Sequence, residues 1–316
     1  ENDPFDFHLT VMNSSHLCNL VKALRVPHMI NITVQPSFLY LTFPKSNAYH
    51  NIVLGLKFGY VFQSKSCLNC NLCSDHIVNP IKSIIWYLKK IDFRDEAFAI
   101  VSSACRKNFR EAGIRLTEQP NVSEINPAAT IKEVLDRPSV KAVIVDFDVN
   151  WNWSMLALAI SCLERKDVLY IAGPTDEWFQ IQALPQIKIM GPGPLLNVIS
   201  AQSGRQPILC AKPSQNLKDY ILDKCNVTNL KRCLFIGDTV NQDMKFASIC
   251  GFLKLFVGTG CDTLEQAQKE DDSCPDYYIP SLGQLFSDLT IQNVNVSSIS
   301  KIVDSSCPDR EKINNK

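Results

Sequence analysis

Short apolar runs alternate with amphipathic stretches along most of the chain. Phe38–Thr42, Ala97–Ser102, Val140–Asp146, Val168–Ala172, Ile208–Ala211 and Cys233–Gly237 read as buried strands. Asn47–Phe58, Ile81–Lys89, Pro127–Asp136, Met155–Glu164, Leu195–Ser203, Asn216–Cys225 and Asp243–Cys250 read as helices. Strands alternating with helices build right-handed βαβ units, so the pattern predicts an α/β, doubly wound fold with a mainly parallel sheet and helices on both faces. Residues 290–316 lose this periodicity and end in Asp309-Arg310-Glu311-Lys312, which predicts a frayed tail. No internal repeat of roughly 20–50 residues is visible.

Composition narrows the function classes. A chain of 316 residues with 46% hydrophobic and 20% charged positions has material for two cores and a soluble surface. Basic and acidic side chains number 32 each, so net charge gives no electrostatic case for nucleic acid or an anionic membrane. No apolar run approaches the roughly 18 residues of a membrane-spanning helix. The opening Glu1-Asn2-Asp3-Pro4 carries neither an initiating Met nor a basic-then-apolar leader. The 13 cysteines are scattered, and Cys162, Cys210, Cys233 and Cys250 lie inside apolar stretches. This usage predicts free thiols in a reducing, cytoplasmic setting. Asn-x-Ser/Thr triplets at Asn13, Asn31, Asn121, Asn152, Asn226 and Asn295 then read as incidental in an Asn-rich chain.

Candidate chemistry gathers at two strand ends. Cys233–Gly237 stops at Asp238, a polar loop follows, and Asp243 stands where the next helix is expected. In open α/β sheets ligands bind beyond the carboxyl ends of strands, and two carboxylates there suit a hard cation. The plainer reading is a turn Asp and a capping Asp. Ile208–Ala211 ends in Lys212-Pro213-Ser214, with Ser214 placed to cap a helix. An ammonium beside carboxylates suits a phosphate held between lysine and metal, whereas a lone lysine is ordinarily solvated.

Taken in this order, each at a strand end, the two signals resemble the third and fourth motifs of the haloacid dehalogenase superfamily. The nearer resemblance is to its phosphoglycolate and 4-nitrophenyl phosphatase family, which includes pyridoxal phosphate phosphatases. Val143–Asp148, Ala172-Gly173-Pro174-Thr175-Asp176, Met190-Gly191-Pro192-Gly193-Pro194-Leu195, Pro275–Ile279 and Leu282–Leu289 look like further segments of that family. The resemblance covers residues 80–290 and, weakly, 5–60. It implies a Rossmann-like core from residues 1–80 and 191–290, an α/β cap at 81–190 and a tail at 291–316. It further implies Mg²⁺ at Asp238 and Asp243, phosphate at Lys212 and Thr42, and a small phosphorylated metabolite such as phosphoglycolate as substrate. Self-association through the cap, as a homodimer, is the partner it implies.

The family's reaction also needs an Asp nucleophile and, two residues on, an Asp acid/base. One carboxylate forms the covalent phosphate, and the other protonates the leaving alcohol. The N-terminal strand here reads Phe7-His8-Leu9-Thr10-Val11-Met12-Asn13-Ser14, which places Val11 and Asn13 at those positions. Val cannot attack phosphorus, and Asn cannot exchange a proton as a carboxyl group does. A rival register keeps Asp6 as nucleophile with His8 following, but only five residues precede Asp6 and they form no apolar strand. The second motif is altered as well. Thr42 keeps a hydroxyl, Phe43-Pro44-Lys45 replaces an Asn-rich turn, and Pro44 lacks a backbone donor. Tyr40 is the alternative equivalent.

Three readings follow. The chain is a phosphatase-like protein with lost or weak activity, an active Mg²⁺-dependent phosphomonoesterase using Asp6 or a nucleophile the motif does not reveal, or a non-catalytic dimerising partner of an active relative. Cys67-x2-Cys70-x2-Cys73 with His76 suits either a metal or free thiols on one helix face. Trp151, Trp153 and Trp178 fit ordinary packing or a substrate- or partner-facing cap surface. The five histidines form no spaced hydrolase triad.

Overall fold

A computed structural model of the chain describes residues 39–45, 48–54, 78–120, 127–135, 137–181, 184–260, 262–269, 271–280 and 300–301. The chain divides into two compact units, residues 79–221 and residues 1–78 with 222–316.

The 79–221 unit is built on five parallel strands. They are β3 (Glu96–Ile100), β4 (Arg115–Leu116), β5 (Val140–Val145), β6 (Leu169–Ala172) and β9 (Ile208–Leu209), in the order β4-β3-β5-β6-β9. Side chains alternate across a strand, and here both faces are covered. Phe98, Ile100, Val143, Val145, Tyr170 and Ala172 face one core with Leu158, Cys162, Leu195 and Ile199. These last four belong to helices α4 (Trp153–Leu163) and α5 (Gly193–Ser203). Ala97, Ala99, Ala142, Ile144 and Ile171 face the other core with Ile81, Ile84, Leu88 and Phe109. Those come from α1 (Pro80–Lys90) and α2 (Ser103–Glu111). Helix α3 (Pro127–Val134) packs beside α4. The strands read as unbroken apolar runs because neither face meets water.

Local signals set the helix starts. Asn79 accepts from Lys82 N at 2.9 Å ahead of Pro80, Ser102 accepts from Cys105 N at 3.4 Å, and Asn152 accepts from Met155 N at 3.1 Å. Helix α2 was not expected from the pattern, because its exposed face is so polar. Its inward positions are Phe109 and Arg106, whose guanidinium donates to Ala99 O at 3.0 Å and Thr117 O at 2.9 Å. A separate hairpin of β7 (Trp178–Ile181) and β8 (Leu184–Met190) also went unforeseen.

The second unit holds a six-stranded sheet. Its strands are β1 (Leu39–Lys45), β2 (Ala48–Leu54), β10 (Leu234–Gly237), β11 (Leu253–Val257), β12 (Tyr277–Ile279) and β13 (Ser300–Lys301), in that order. β2, β10, β11 and β12 run parallel, and β1 and β13 pair antiparallel at the edges. Helix α6 (Gln215–Cys225) spans the division between the units. Helices α7 (Lys245–Cys250) and α8 (Leu264–Lys269) belong to the second unit, where Phe246 of α7 meets Phe235 edge-on at 5.5 Å.

The expected α/β architecture with mainly parallel sheets is therefore present. One expected helix is corrected to a strand. The segment expected as a helix at Asn47–Phe58 contains strand β2, in unbroken register with β1 from Leu39↔Leu54 to Lys45↔Ala48. Tyr49, Ile52 and Val53 suit a pleated backbone, and the pairing overrides a weak helical periodicity. Ser300–Lys301, from the expected tail, pair with β12. The Leu282–Leu289 helix lies outside the described residues.

Arg106 gives this unit a direct test. Arg106→Met keeps the buried stem and removes both hydrogen bonds, leaving two buried carbonyls without that donor. We expect urea denaturation of the full chain to show a loss of about 2–4 kcal/mol in the transition of this unit.

Candidate functional site

Strand β10 is buried along its length and ends at Gly237, leaving Asp238 only 7% exposed. The chain then enters a wide turn, Val240–Met244, before α7 begins at Lys245. Asp243 was expected to open a helix; it lies inside this turn instead, fully buried. Its Oδ2 accepts from Asp238 N at 3.1 Å, Thr239 N at 3.1 Å and Thr239 Oγ1 at 2.8 Å. In return Thr239 Oγ1 accepts from Asp243 N at 3.3 Å. The carboxylate thus closes the loop on itself.

Two glycines make room for the two aspartates. A Cβ on Gly237 would stand 2.3 Å from Asp243 Cβ, and a Cβ on Gly260 would stand 2.3 Å from Asp238 Cβ. Neither contact is sterically possible, so both positions require glycine through close approach and not through backbone angle. Sequence reading singled out Asp238 and Asp243 and missed Gly260. Only the fold brings it to the strand tip.

Lys212 belongs to the 79–221 unit. It follows the short strand β9 and is 1% exposed, against the solvated habit of lysine. Ser214 accepts from Leu217 N at 3.2 Å and so caps α6, as its place in the sequence suggested. Thr42 sits on β1 opposite Asn51. Val11 and Asn13, the rival Asp6 and His8, and the Cys67/Cys70/Cys73/His76 group lie outside the described residues.

Among the described residues no set of three or more His, Cys, Asp or Glu is grouped to hold a metal. Mg²⁺ asks less, since one or two protein carboxylates suffice when water and phosphate complete its shell. Asp238 in its glycine cradle fits that limited demand. Asp243 shares Oδ2 among three donors and so ties the loop, with Oδ1 as its other oxygen.

A second feature was not anticipated as a site. Beyond the tip of β5, a cavity of about 200 Å³ is lined by Asp146, Phe147, Asp148, Trp151, Met190 and Leu195, among others. Asp146 is 3% exposed. Its Oδ1 accepts from Phe147 N at 2.5 Å, while Oδ2 is buried with no hydrogen-bond partner. A Cβ on Gly173 would lie 2.2 Å from that oxygen. Burial, with a smaller push from the charge of Asp176, raises this carboxyl to about 7, against the opposing hydrogen bond from Phe147. Trp151 and Trp153 are exposed on the loop and helix start after β5, and Trp178 on the hairpin, where Lys188 Nζ sits 4.7 Å from its ring centroid.

Two outcomes are expected. Gly237→Ala forces the Asp243 carboxylate off the strand tip and should cost about 3 kcal/mol in chemical denaturation. Asp146 tests linkage. Its folded pKa lies above its unfolded value, so its contribution is whole below about pH 4 and is lost as pH rises through about 7. Stability curves of Asp146→Asn and the parent chain should therefore separate by a few kcal/mol between pH 4 and 7.5, in favour of the variant, and run parallel above that.

Residues 209–285 match a family model described as HAD-hydrolase-like. Chronophin of Bos taurus is 29% identical over 203 residues, covering 63% of this chain and 64% of chronophin. Glycerol-3-phosphate phosphatase of Gallus gallus is 27% identical over 157 residues, covering 47% and 49%. The chain thus spans less than two thirds of the length of these curated relatives. Among solved structures, the glycerol phosphate phosphatase of Mycobacterium tuberculosis in complex with magnesium superposes with a TM-score of 0.56 at 18% identity, covering 70% of this chain and 61% of that one. The 4-nitrophenylphosphatase of Thermotoga maritima gives 0.54 at 22%, covering 69% and 75%. At such identities the structural likeness speaks for the fold. These matches make the chain similar to phosphatases of the haloacid dehalogenase type, with a HAD-hydrolase-like segment at residues 209–285.

Proposed function

We propose that this phosphatase-like protein retains the phosphate- and cation-binding part of the site and has lost most or all hydrolysis of phosphate monoesters. The observation that carries the reading is the sequence Leu9-Thr10-Val11-Met12-Asn13, where the family's reaction needs two carboxyl groups. Without a nucleophile no covalent phosphate forms, and without a carboxylic acid no proton reaches the leaving alcohol. Groups of one catalytic unit act together, so removing the nucleophile removes most of the rate whatever else is kept.

The parts that remain suit binding. The family resemblance gives Lys212 and Thr42 to phosphate and Asp238 and Asp243 to Mg²⁺; Lys212 and Asp238 are each buried at a strand end of their own unit, and Asp243 holds the Asp238 loop. The ligand class is a small phosphorylated metabolite. Exposed Trp178, Met190 and Val198 in the 79–221 unit support self-association through that unit. Its role is then regulatory or scaffolding. No described helix is long and apolar enough to cross a membrane.

Hydrolysis of 4-nitrophenyl phosphate with excess Mg²⁺ tests the reading, beside Lys212→Ala and Asp238→Asn. The expected result is turnover near background in all three proteins. Turnover at rates of order 1 s⁻¹ or above in the parent chain, abolished by either substitution, overturns it and points to Asp6 as nucleophile.

A further inference from the structure

The turn that carries Asp243 is held from a second side. Val240, its first residue, is 4% exposed and donates its backbone N–H to Oδ2 of Asp262 at 2.7 Å. A donor at the start of a helical turn has no acceptor within the turn, and a carboxylate supplies a charge-assisted one. Asp262 lies between β11 and α8, two residues past Gly260, whose Cα rests against Asp238. This connection therefore reaches both sides of the loop.

Asp262 is itself anchored. Thr263 opens α8 with a reciprocal capping box, in which Thr263 N donates to Gln266 Oε1 at 2.7 Å and Gln266 N donates to Thr263 Oγ1 at 3.3 Å. The box fixes the backbone one residue after Asp262, which limits where its carboxylate can go. A path of short-range contacts then runs from α8 through Asp262 to Val240, along the turn to Asp243, and from Asp243 Oδ2 to Asp238 N.

We infer that Asp262 is a positioning residue for Asp238, setting the depth at which the Val240–Met244 turn seats and so where the Asp238 carboxylate stands beyond the β10 tip. The cation-binding consequence rests on the proposed role of Asp238, whereas the positioning of the loop does not. Asp262 needs only an acceptor oxygen for this task, so Asn should replace it and Ala should not.

Two measurements on the full chain separate these levels. Amide hydrogen exchange at Val240, read by NMR, should accelerate about tenfold or more in Asp262→Ala and stay near the parent rate in Asp262→Asn. Unchanged exchange in Asp262→Ala overturns the inference, as does equal acceleration in both variants. Mn²⁺ titration followed by electron paramagnetic resonance, with Asp238→Asn as reference, should show affinity reduced about tenfold in Asp262→Ala and kept in Asp262→Asn. Equal losses in the two variants would assign the effect to charge and overturn positioning. Mn²⁺ binding indifferent to Asp238→Asn would refute the cation role of Asp238, and the exchange result would still decide the role of Asp262.

Discussion

The carboxylate of Asp243 is the constraint on which the tip of the β10 sheet depends. It is fully buried, and a charge withdrawn from water costs several kcal/mol unless hydrogen bonds replace its hydration. Three donors within 3.1 Å do so, all from Asp238 and Thr239, the two residues that follow the strand. The geometry works only because Gly237 has no side chain to stand in its way. Gly237, Asp238, Thr239 and Asp243 are thus one structural device. The direction in which Asp238 leaves the strand is a consequence of it.

Much of this was legible in the sequence. A buried run ending in Gly-Asp announced a strand tip, and a second Asp five residues on stood out as a cation ligand or a capping residue, while its tether to Asp238 and Thr239 shows only in the structure. The wide turn at Val240–Met244 was not legible, since apolar periodicity distinguishes helix from strand and carries no signal for a local widening. Long-range partners were hidden for a different reason. Gly260 and Asp262 sit in an unremarkable polar connection, and their importance arises from what β11 places beside β10. The strand at Ala48–Leu54 shows the same limit in reverse, because a neighbour decided a segment whose own pattern was ambiguous.

The 79–221 unit shows two ways to keep a polar group inside an apolar sheet. Arg106 enters the core side of α2 and uses its guanidinium to bind two carbonyl oxygens, so its charge comes with donors aimed at acceptors. Asp146 ends β5 with one oxygen served by Phe147 N–H and the other packed against Gly173. Protonation is the remaining way to relieve that second oxygen, which is why burial outweighs the hydrogen bond and lifts its pKa. Both residues interrupt an apolar pattern. A sequence reader sees the interruption and cannot tell a satisfied guest from a strained one.

The same distinction bears on what a surviving motif means. Gly237 and Asp243 have a folding task, because without them the chain cannot close after β10. Their presence is then expected in any chain that keeps this sheet, with or without chemistry at its edge. Asp238 and Lys212 are different. Each brings a charged side chain to low exposure at a strand end, where its lost hydration has to be offset by partners or by a ligand. Binding and hydrolysis make different demands at such strand ends, since an anion and a hydrated cation need a positive and a negative partner, whereas hydrolysis through a covalent phosphate needs a nucleophile as well.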